Sequence, residues 1–262
     1  MNKIFAFLGS HMATEQQYLA NATCVISFSM DRQIRYRVAD IERAFQSVLG
    51  GQATGTNVAD TAPPAIPRFT MQSGPKQLSI SQVTAQLDLD FFSQKKSFES
   101  LSATIKKNFS NFWQGFCQVK NLTDIRDMGM IFTINTPDKR STNELSAEVF
   151  KRYVRAPLLG DVASTSLQLG FLDTDKQAFI NVAVGSYEIR EGLINNPDPR
   201  GGPMTIEINE LPVSEHGIET KLDVNSKPMT LKDGQLPRDL DDQLFRRLNG
   251  LVTERCKDFL SW

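Results

Sequence analysis

Val83-Thr-Ala-Gln-Leu-Asp-Leu-Asp-Phe91, followed after a short polar break by Phe98-Glu-Ser-Leu-Ser-Ala-Thr-Ile-Lys-Lys-Asn-Phe-Ser-Asn-Phe-Trp-Gln-Gly-Phe116, decides the fold class of this chain. In the first part Val83, Ala85, Leu87, Leu89 and Phe91 alternate with polar residues, and Asp88 and Asp90 fall on the opposite side. Period two with one apolar side is the signature of a strand with one face on a core and one in water. In the second part Phe98, Leu101, Ile105, Phe109, Phe112 and Phe116 recur at helical spacing, with Lys106 and Lys107 turned away from that stripe. A one-sided strand running into a one-sided helix predicts a helix laid across an antiparallel sheet, an α+β architecture.

Outward from this stretch the same vocabulary continues. Upstream, Leu78–Phe92 reads as one strand, joined to Arg68–Met71 by a turn at Ser73-Gly74-Pro75-Lys76. Residues 52–67, rich in Gly, Ala, Thr and Pro, form a loop. Val38, Ile41, Ala44, Phe45, Val48 and Leu49 make a helix that Gly50-Gly51 stops, and Cys24–Met30 alternates as a strand. Downstream come a strand at Gly129–Asn135, a helix at Asn143–Val154, and a hairpin of Ser166–Leu172 with Ala178–Ile189 around Asp173-Thr174-Asp175-Lys176. A second hairpin is expected from Met204–Leu211 and Gly217–Val224. Leu240, Leu244, Leu248, Leu251 and Phe259 then mark a closing helix.

The second series repeats the order of the first: strand, helix, antiparallel strands, long helix. A shift of 105 lays Ile26 on Ile131, Phe45 on Phe150 and Leu49 on Val154, with Asp40 on Leu145 as a mismatch. Gly74-Pro75-Lys76-Gln77 and Thr174-Asp175-Lys176-Gln177 echo one another at a shift of 100. The expectation is an internal duplication, with a first α+β repeat over 13–120 and a second over 121–262 packed as one globular unit. The element order resembles saddle and helix-grip architectures, which leave an apolar groove between sheet and long helix; that likeness is one of fold and carries no function of its own.

Composition narrows the function. The chain has 262 residues, 40% hydrophobic, and Lys+Arg 29 against Asp+Glu 30 gives a net charge of −1. That balance supplies no general field for nucleic acid or an anionic membrane. Gly9-Ser10-His11-Met12 reads as the scar of a cleavable expression tag, so residues 1–12 are taken as leader and scar and His11 is set aside. Ile4–Leu8 is too short for a secretory h-region, and no apolar run is long enough to span a bilayer, so the expected compartment is the cytoplasm. Cys24, Cys117 and Cys256 are odd in number, widely spaced and set in apolar segments, as small buried side chains are.

Pro67-Arg68-Phe69-Thr70 running into Gln82–Phe91, then Asp124-Ile125-Arg126-Asp127-Met128-Gly129 leading to Asn135, and a final helix over Leu240–Phe259, resemble an uncharacterised, sporadically distributed family of bacterial proteins of about this length. Arg126, Gly129 and Asn135 stand where that family carries an Arg-x-x-Gly and a strand ending in Asn. The resemblance implies a bacterial protein and transfers no catalytic residue.

Few constellations in the sequence carry chemistry. Asp198, Glu219 and Lys221 have the residue types of a metal-dependent nuclease core, two carboxylates for Mg²⁺ and a lysine for the attacking water. Asp198, however, sits in the turn Asn196–Gly202 rather than on a rigid strand. Asp239, Asp241 and Asp242 precede a helix, where carboxylates are favoured without any metal. Asp88 and Asp90 share a solvated strand face. His216 is read as an exposed residue of the turn Ser214–Gly217, and its neighbours Ser214 and Glu215 lie too close along the chain to form a triad. Gly50–Gly55 lacks the Lys-Ser/Thr of a phosphate loop. Trp113, off the aromatic stripe, is the candidate exposed contact. The sequence therefore points to a non-enzymatic binding protein for a peptide, protein partner or small apolar ligand, with no catalytic residue, metal or cofactor assigned and nucleic acid disfavoured. The nuclease reading through Asp198, Glu219 and Lys221 is the alternative.

Overall fold

The alternation around Leu87 and the stripe around Phe109 meet in space, and the rest of the chain is arranged on either side of that contact. The computed structural model describes residues 16–50, 54–56, 58–59, 61–154, 160–191, 211–233 and 236–255. First in order come β1 (Tyr18–Phe28), α1 (Val38–Leu49), β2 (Thr54–Gly55), β3 (Phe69–Ser73), β4 (Lys76–Ile80), β5 (Thr84–Asp90) and α2 (Phe98–Val119). Then follow β6 (Ile125–Pro137), α3 (Thr142–Tyr153), β7 (Ser166–Leu172), β8 (Phe179–Arg190), β9 (Val213–Asn225), α4 (Lys227–Asp233) and α5 (Leu240–Gly250). The α+β class is as the sequence implies.

All nine strands among the described residues belong to one antiparallel sheet in the order β2-β3-β4-β5-β1-β6-β9-β8-β7. The opening strand of each series lies at the centre, β1 beside β6, and each is flanked by the last strand of its own series, β5 or β9. Pairing runs Cys24 to Met130 between the central strands and Cys24 to Leu87 on the other side.

One face of this sheet carries the core. Cys24, Ile26 and Phe28 of β1, Ala85 and Leu87 of β5, Met128, Met130 and Phe132 of β6, and Leu222 and Val224 of β9 are buried in a single cluster with residues of α1, α2, α3 and α5. Every residue of the aromatic stripe from Phe98 to Phe116 is buried there. Phe132 is the hub: its ring lies 5.1 Å from Phe98, 6.4 Å from Phe109 and 6.3 Å from Phe245, centroid to centroid. Side chains therefore fill the space between α2 and the sheet in which the sequence suggested an apolar groove. Gly115 lets α1 cross α2, because a Cβ there would lie 2.6 Å from the Ala44 carbonyl oxygen. The buried Arg68 donates to the carbonyls of Ile66 (2.8 Å) and Ala62 (3.0 Å), so it ties the preceding loop to β3.

The structure revises several boundaries. The strand expected over Leu78–Phe92 is two strands, broken where the Ser81 hydroxyl accepts from the backbone N–H of Val83 (3.1 Å) and Thr84 (2.9 Å). The closing helix passes from α5 into a π-turn over Leu251–Arg255. Residues 1–12, Met204–Glu210, Cys256 and Phe259 lie outside the described residues. The offset of 105 is also out of phase. Ile26 is in the core, while Ile131 is on the opposite face beside the buried Phe132; Phe45 is buried while Phe150 is half-exposed on α3. An offset one position shorter sets Ile26 with Met130, Phe28 with Phe132, Ile41 with Leu145 and Phe45 with Val149, all buried.

Trp113 is not an exposed contact. It is 2% exposed, and its indole N–H donates to the Arg238 carbonyl at 2.8 Å. The flank of α2 beyond the Phe stripe meets the segment entering α5, so the helix is buried on two sides.

Candidate functional site

With the described helices on one side, the other face of the sheet presents the outward residues of each strand. Asn21, Thr23, Val25 and Ser27 of β1 lie between Gln86, Asp88 and Asp90 of β5 and Asp127, Ile131 and Thr133 of β6. Glu219, Lys221 and Asp223 of β9 continue the row. Carboxylates outnumber the single ammonium among these residues.

Two features mark the end of this face where β1 begins. The first is a concavity of about 340 Å³ walled by Asn21, Gln72, Gln77, Asp88 and Asp90 and closed by the turn Gly74–Lys76. Asp88 is fixed there by the Thr23 hydroxyl at 2.7 Å and the Gln86 amide at 2.8 Å, and Asp90 accepts the Phe92 backbone N–H at 2.9 Å.

The second is a polar network with no signature in the sequence. A bulge between Leu19 and Asn21 turns Tyr18 onto this face, opposite Asn135 of β6. The Tyr18 hydroxyl donates to the Glu215 carboxylate and accepts from Lys95 Nζ at 2.7 Å and Asn135 Nδ2 at 3.2 Å, so its hydrogen-bonding capacity is full. Tyr187 of β8 donates to the same Glu215 oxygen at 2.7 Å, and Lys95 pairs with the other. The Lys95 ammonium also lies 4.0 Å from the Tyr18 ring centroid and 3.9 Å from that of Phe92. Lys95 reaches in from the turn after β5 with a left-handed backbone, φ 48°. Asn135 Oδ1 is buried with no hydrogen bond.

Burial alone would raise the Glu215 carboxyl. The hydrogen bonds from Lys95, Tyr18 and Tyr187 outweigh it and hold the group below its ordinary value of 4.5. Burial and the same carboxylate push both phenols up, so they stay protonated at neutral pH. A depressed carboxyl stabilises the fold above its unfolded pKa and loses that contribution as pH falls through its folded value. Glu215→Gln is thus expected to lower stability at pH 7 and to flatten the acid limb below about pH 4.5. Urea midpoints measured from pH 7 down to pH 3 check this, and parallel curves for the two proteins would defeat it.

The residues singled out in the sequence are dispersed. Glu219 and Lys221 share the outward face of β9 and pair with each other at 2.9 Å; Asp198 lies outside the described residues. Asp241 is buried and accepts the Ser110 hydroxyl at 2.6 Å, Asp242 pairs with Lys106 at 3.0 Å, and Asp239 accepts the Gln243 amide at 3.1 Å. Those three carboxylates go to three different partners. His216 is not in an exposed turn: it lies within β9, half-buried, with Nε2 buried and without a hydrogen bond. Burial first, then nearby Asp241, raises the Cys24 and Cys117 thiols, Cys117 to about 11, so neither is a thiolate at neutral pH. Arg126, Gly129 and Asn135 all stand on β6, and of these only Asn135 belongs to the network.

Among the described residues no group of three or more histidine, cysteine and acidic side chains is placed to hold a metal ion. No described helix is long and apolar enough to cross a membrane. No family model matches the chain, and neither a curated protein nor a solved structure does.

Proposed function

We propose that this chain is a non-enzymatic binding protein that takes a basic peptide segment of a partner on the face of its sheet opposite the described helices. One observation carries the reading: the concavity between β3, β4, β5 and β1 is walled by amides and by two carboxylates that neighbouring side chains and backbone hold in place, while the ammonium of Lys76 in its closing turn donates to the Val48 carbonyl at 3.0 Å. Asp127, Glu219 and Asp223 extend the same sign along the strands, with Lys221 as the one ammonium among the outward residues of β1, β5, β6 and β9 named above. A polar, acid-lined recess fits a cationic chain and disfavours a phosphodiester. A small apolar ligand would have a different seat, the recess of about 410 Å³ along α3 formed by Ala147, Phe150, Val154 and Val162.

Two further parts of the reading concern origin. The mirrored strand order about the β1–β6 junction, and the matched core positions one residue off the 105 shift, support descent by duplication and a saddle-like sheet. Arg126, Gly129 and Asn135 on one central strand support kinship with the bacterial family, and unpaired Cys24 and Cys117 support a reducing, cytoplasmic setting.

A display selection from a random peptide library tests the function. Peptides that bind the wild type are expected to be Lys- and Arg-rich and to weaken at least tenfold against Gln72→Arg/Gln77→Arg, two exposed positions of the concavity. Peptides indifferent to that pair but lost on Phe150→Asp would move the site to α3. Cleavage of DNA or RNA in Mg²⁺ or Mn²⁺, abolished by both Glu219→Ala and Lys221→Ala, would replace the binding reading with the nuclease one.

A further inference from the structure

The network at the start of β1 divides into a frame and a plug. Tyr18 is 1% exposed on β1, Asn135 is 4% exposed on β6, and Glu215 stands on β9 with a side chain 17% exposed. These belong to the sheet. Lys95 belongs to an exposed turn, its side chain is 43% exposed, and its backbone is left-handed, a conformation uncommon for a residue with a side chain. Take the Lys95 side chain away and the frame keeps its bonds: Tyr18 and Tyr187 still donate to Glu215, and Asn135 still donates to Tyr18. What is left is a carboxylate beside the faces of Tyr18 and Phe92, with a phenol oxygen able to accept one more donor. Two aromatic faces, a carboxylate and a free acceptor recognise an ammonium group.

We infer that Tyr18, Phe92 and Glu215 form an ammonium-binding box, that Lys95 closes it in the unliganded protein, and that an alkylammonium group from outside displaces Lys95. The Lys95 ammonium supplies the pattern of contacts the incoming group makes: two aromatic faces, the Glu215 oxygen and the Tyr18 hydroxyl. The box adjoins the acid-lined concavity, since Asp90 of the concavity accepts the backbone N–H of Phe92 of the box. A partner lysine is the source that the sheet-face reading favours, and in that respect the inference rests on it. The box itself does not. A tethered plug competes at an effective concentration in the millimolar range, so the wild type binds small ammonium ions weakly and removing the plug unmasks the site.

The test uses n-butylammonium, the end of a lysine side chain, with calorimetry and thermal shift as readouts. Lys95→Ala is expected to bind it at least tenfold more tightly than the wild type, and Lys95→Ala/Glu215→Gln to lose that gain. Equal affinity for wild type and Lys95→Ala, or no binding by either, overturns the box. Where Lys95→Ala does not fold, Lys95→Met keeps the apolar stem and is held to the same two outcomes. Comparing a lysine peptide with its norleucine counterpart separates a partner side chain from a free amine; preference for the lysine peptide, or for n-butylammonium over both peptides, each supports the box and identifies the source. No selected peptide is needed, so failure of the sheet-face reading and failure of the box are seen separately.

Discussion

Phe132→Ala is expected to lower the free energy of unfolding by roughly 3–5 kcal/mol, the range for a large buried aromatic whose site cannot collapse. Collapse is blocked because the ring stands on a central strand between Phe98 and Phe109 of α2 and Phe245 of α5. Two helices and a strand would have to move together to close the void. Phe109→Ala, at the edge of the same cluster, belongs in the same range. Denaturant unfolding reads both: the midpoint should fall with little change in slope. A loss below about 1 kcal/mol at Phe132 would mean that this centre is not packed as described. Because Phe98 and Phe132 touch, the Phe98→Ala/Phe132→Ala pair is expected to be non-additive.

Gly217→Ala is the second large effect, of opposite kind. A Cβ at Gly217 would lie 2.2 Å from the Thr136 carbonyl oxygen and 2.8 Å from Pro137 Cα. Both obstacles are backbone of β6, which Gly217 faces directly in the register of β9. A side-chain tip could swing aside; a ladder strand cannot. The expected loss is on the order of 3 kcal/mol, the upper part of the range for overpacking. Hydrogen exchange should show it first at Ile218 and Glu219. Gly129→Ala is the control, since its nearest neighbour would be Asn225 Cβ at 3.5 Å, and its effect should stay below about 1 kcal/mol. Similar losses at the two glycines would refute the close approach.

Element order was legible because each element announces itself by period. The alternation of Leu87 and Leu89, and the spacing of Ile105 and Phe109, need no knowledge of partners. Phase was harder. A strand repeats every two residues, so a one-position shift in alignment moves a side chain to the opposite face, and identity of residue type favours Ile131 over Met130 as the match to Ile26. Trp113 is hidden from periodicity for a related reason: one helix can bury two flanks, and the second is defined by Arg238, far along the chain. The box as a whole was not legible. Tyr18, Asn135, Tyr187 and Glu215 come from four separate strands with no shared spacing, and the adjacency of β1, β6, β9 and β8 brings them to the turn that carries Phe92 and Lys95. A local hint existed in Phe91-Phe92 followed by Lys95-Lys96, aromatic then basic within a turn. It cannot be told from an ordinary strand exit without knowing what lies opposite.

The meeting of β1 and β6 at the middle of the sheet has a consequence for the growing chain. Synthesis runs from the N-terminus, so every strand of the first series is complete before the last residue of β6, Pro137, has been added. Until then β1 has β5 on one side and nothing on the other, and its unpaired N–H and C=O groups form a long hydrogen-bonding edge beside a half-built core. A ribosome pausing before β6 would leave that edge open to other extended chains, and a fragment ending near Asp124 should aggregate where the whole chain does not. Supplying residues 125–262 as a separate polypeptide should suppress that aggregation by restoring the missing neighbour.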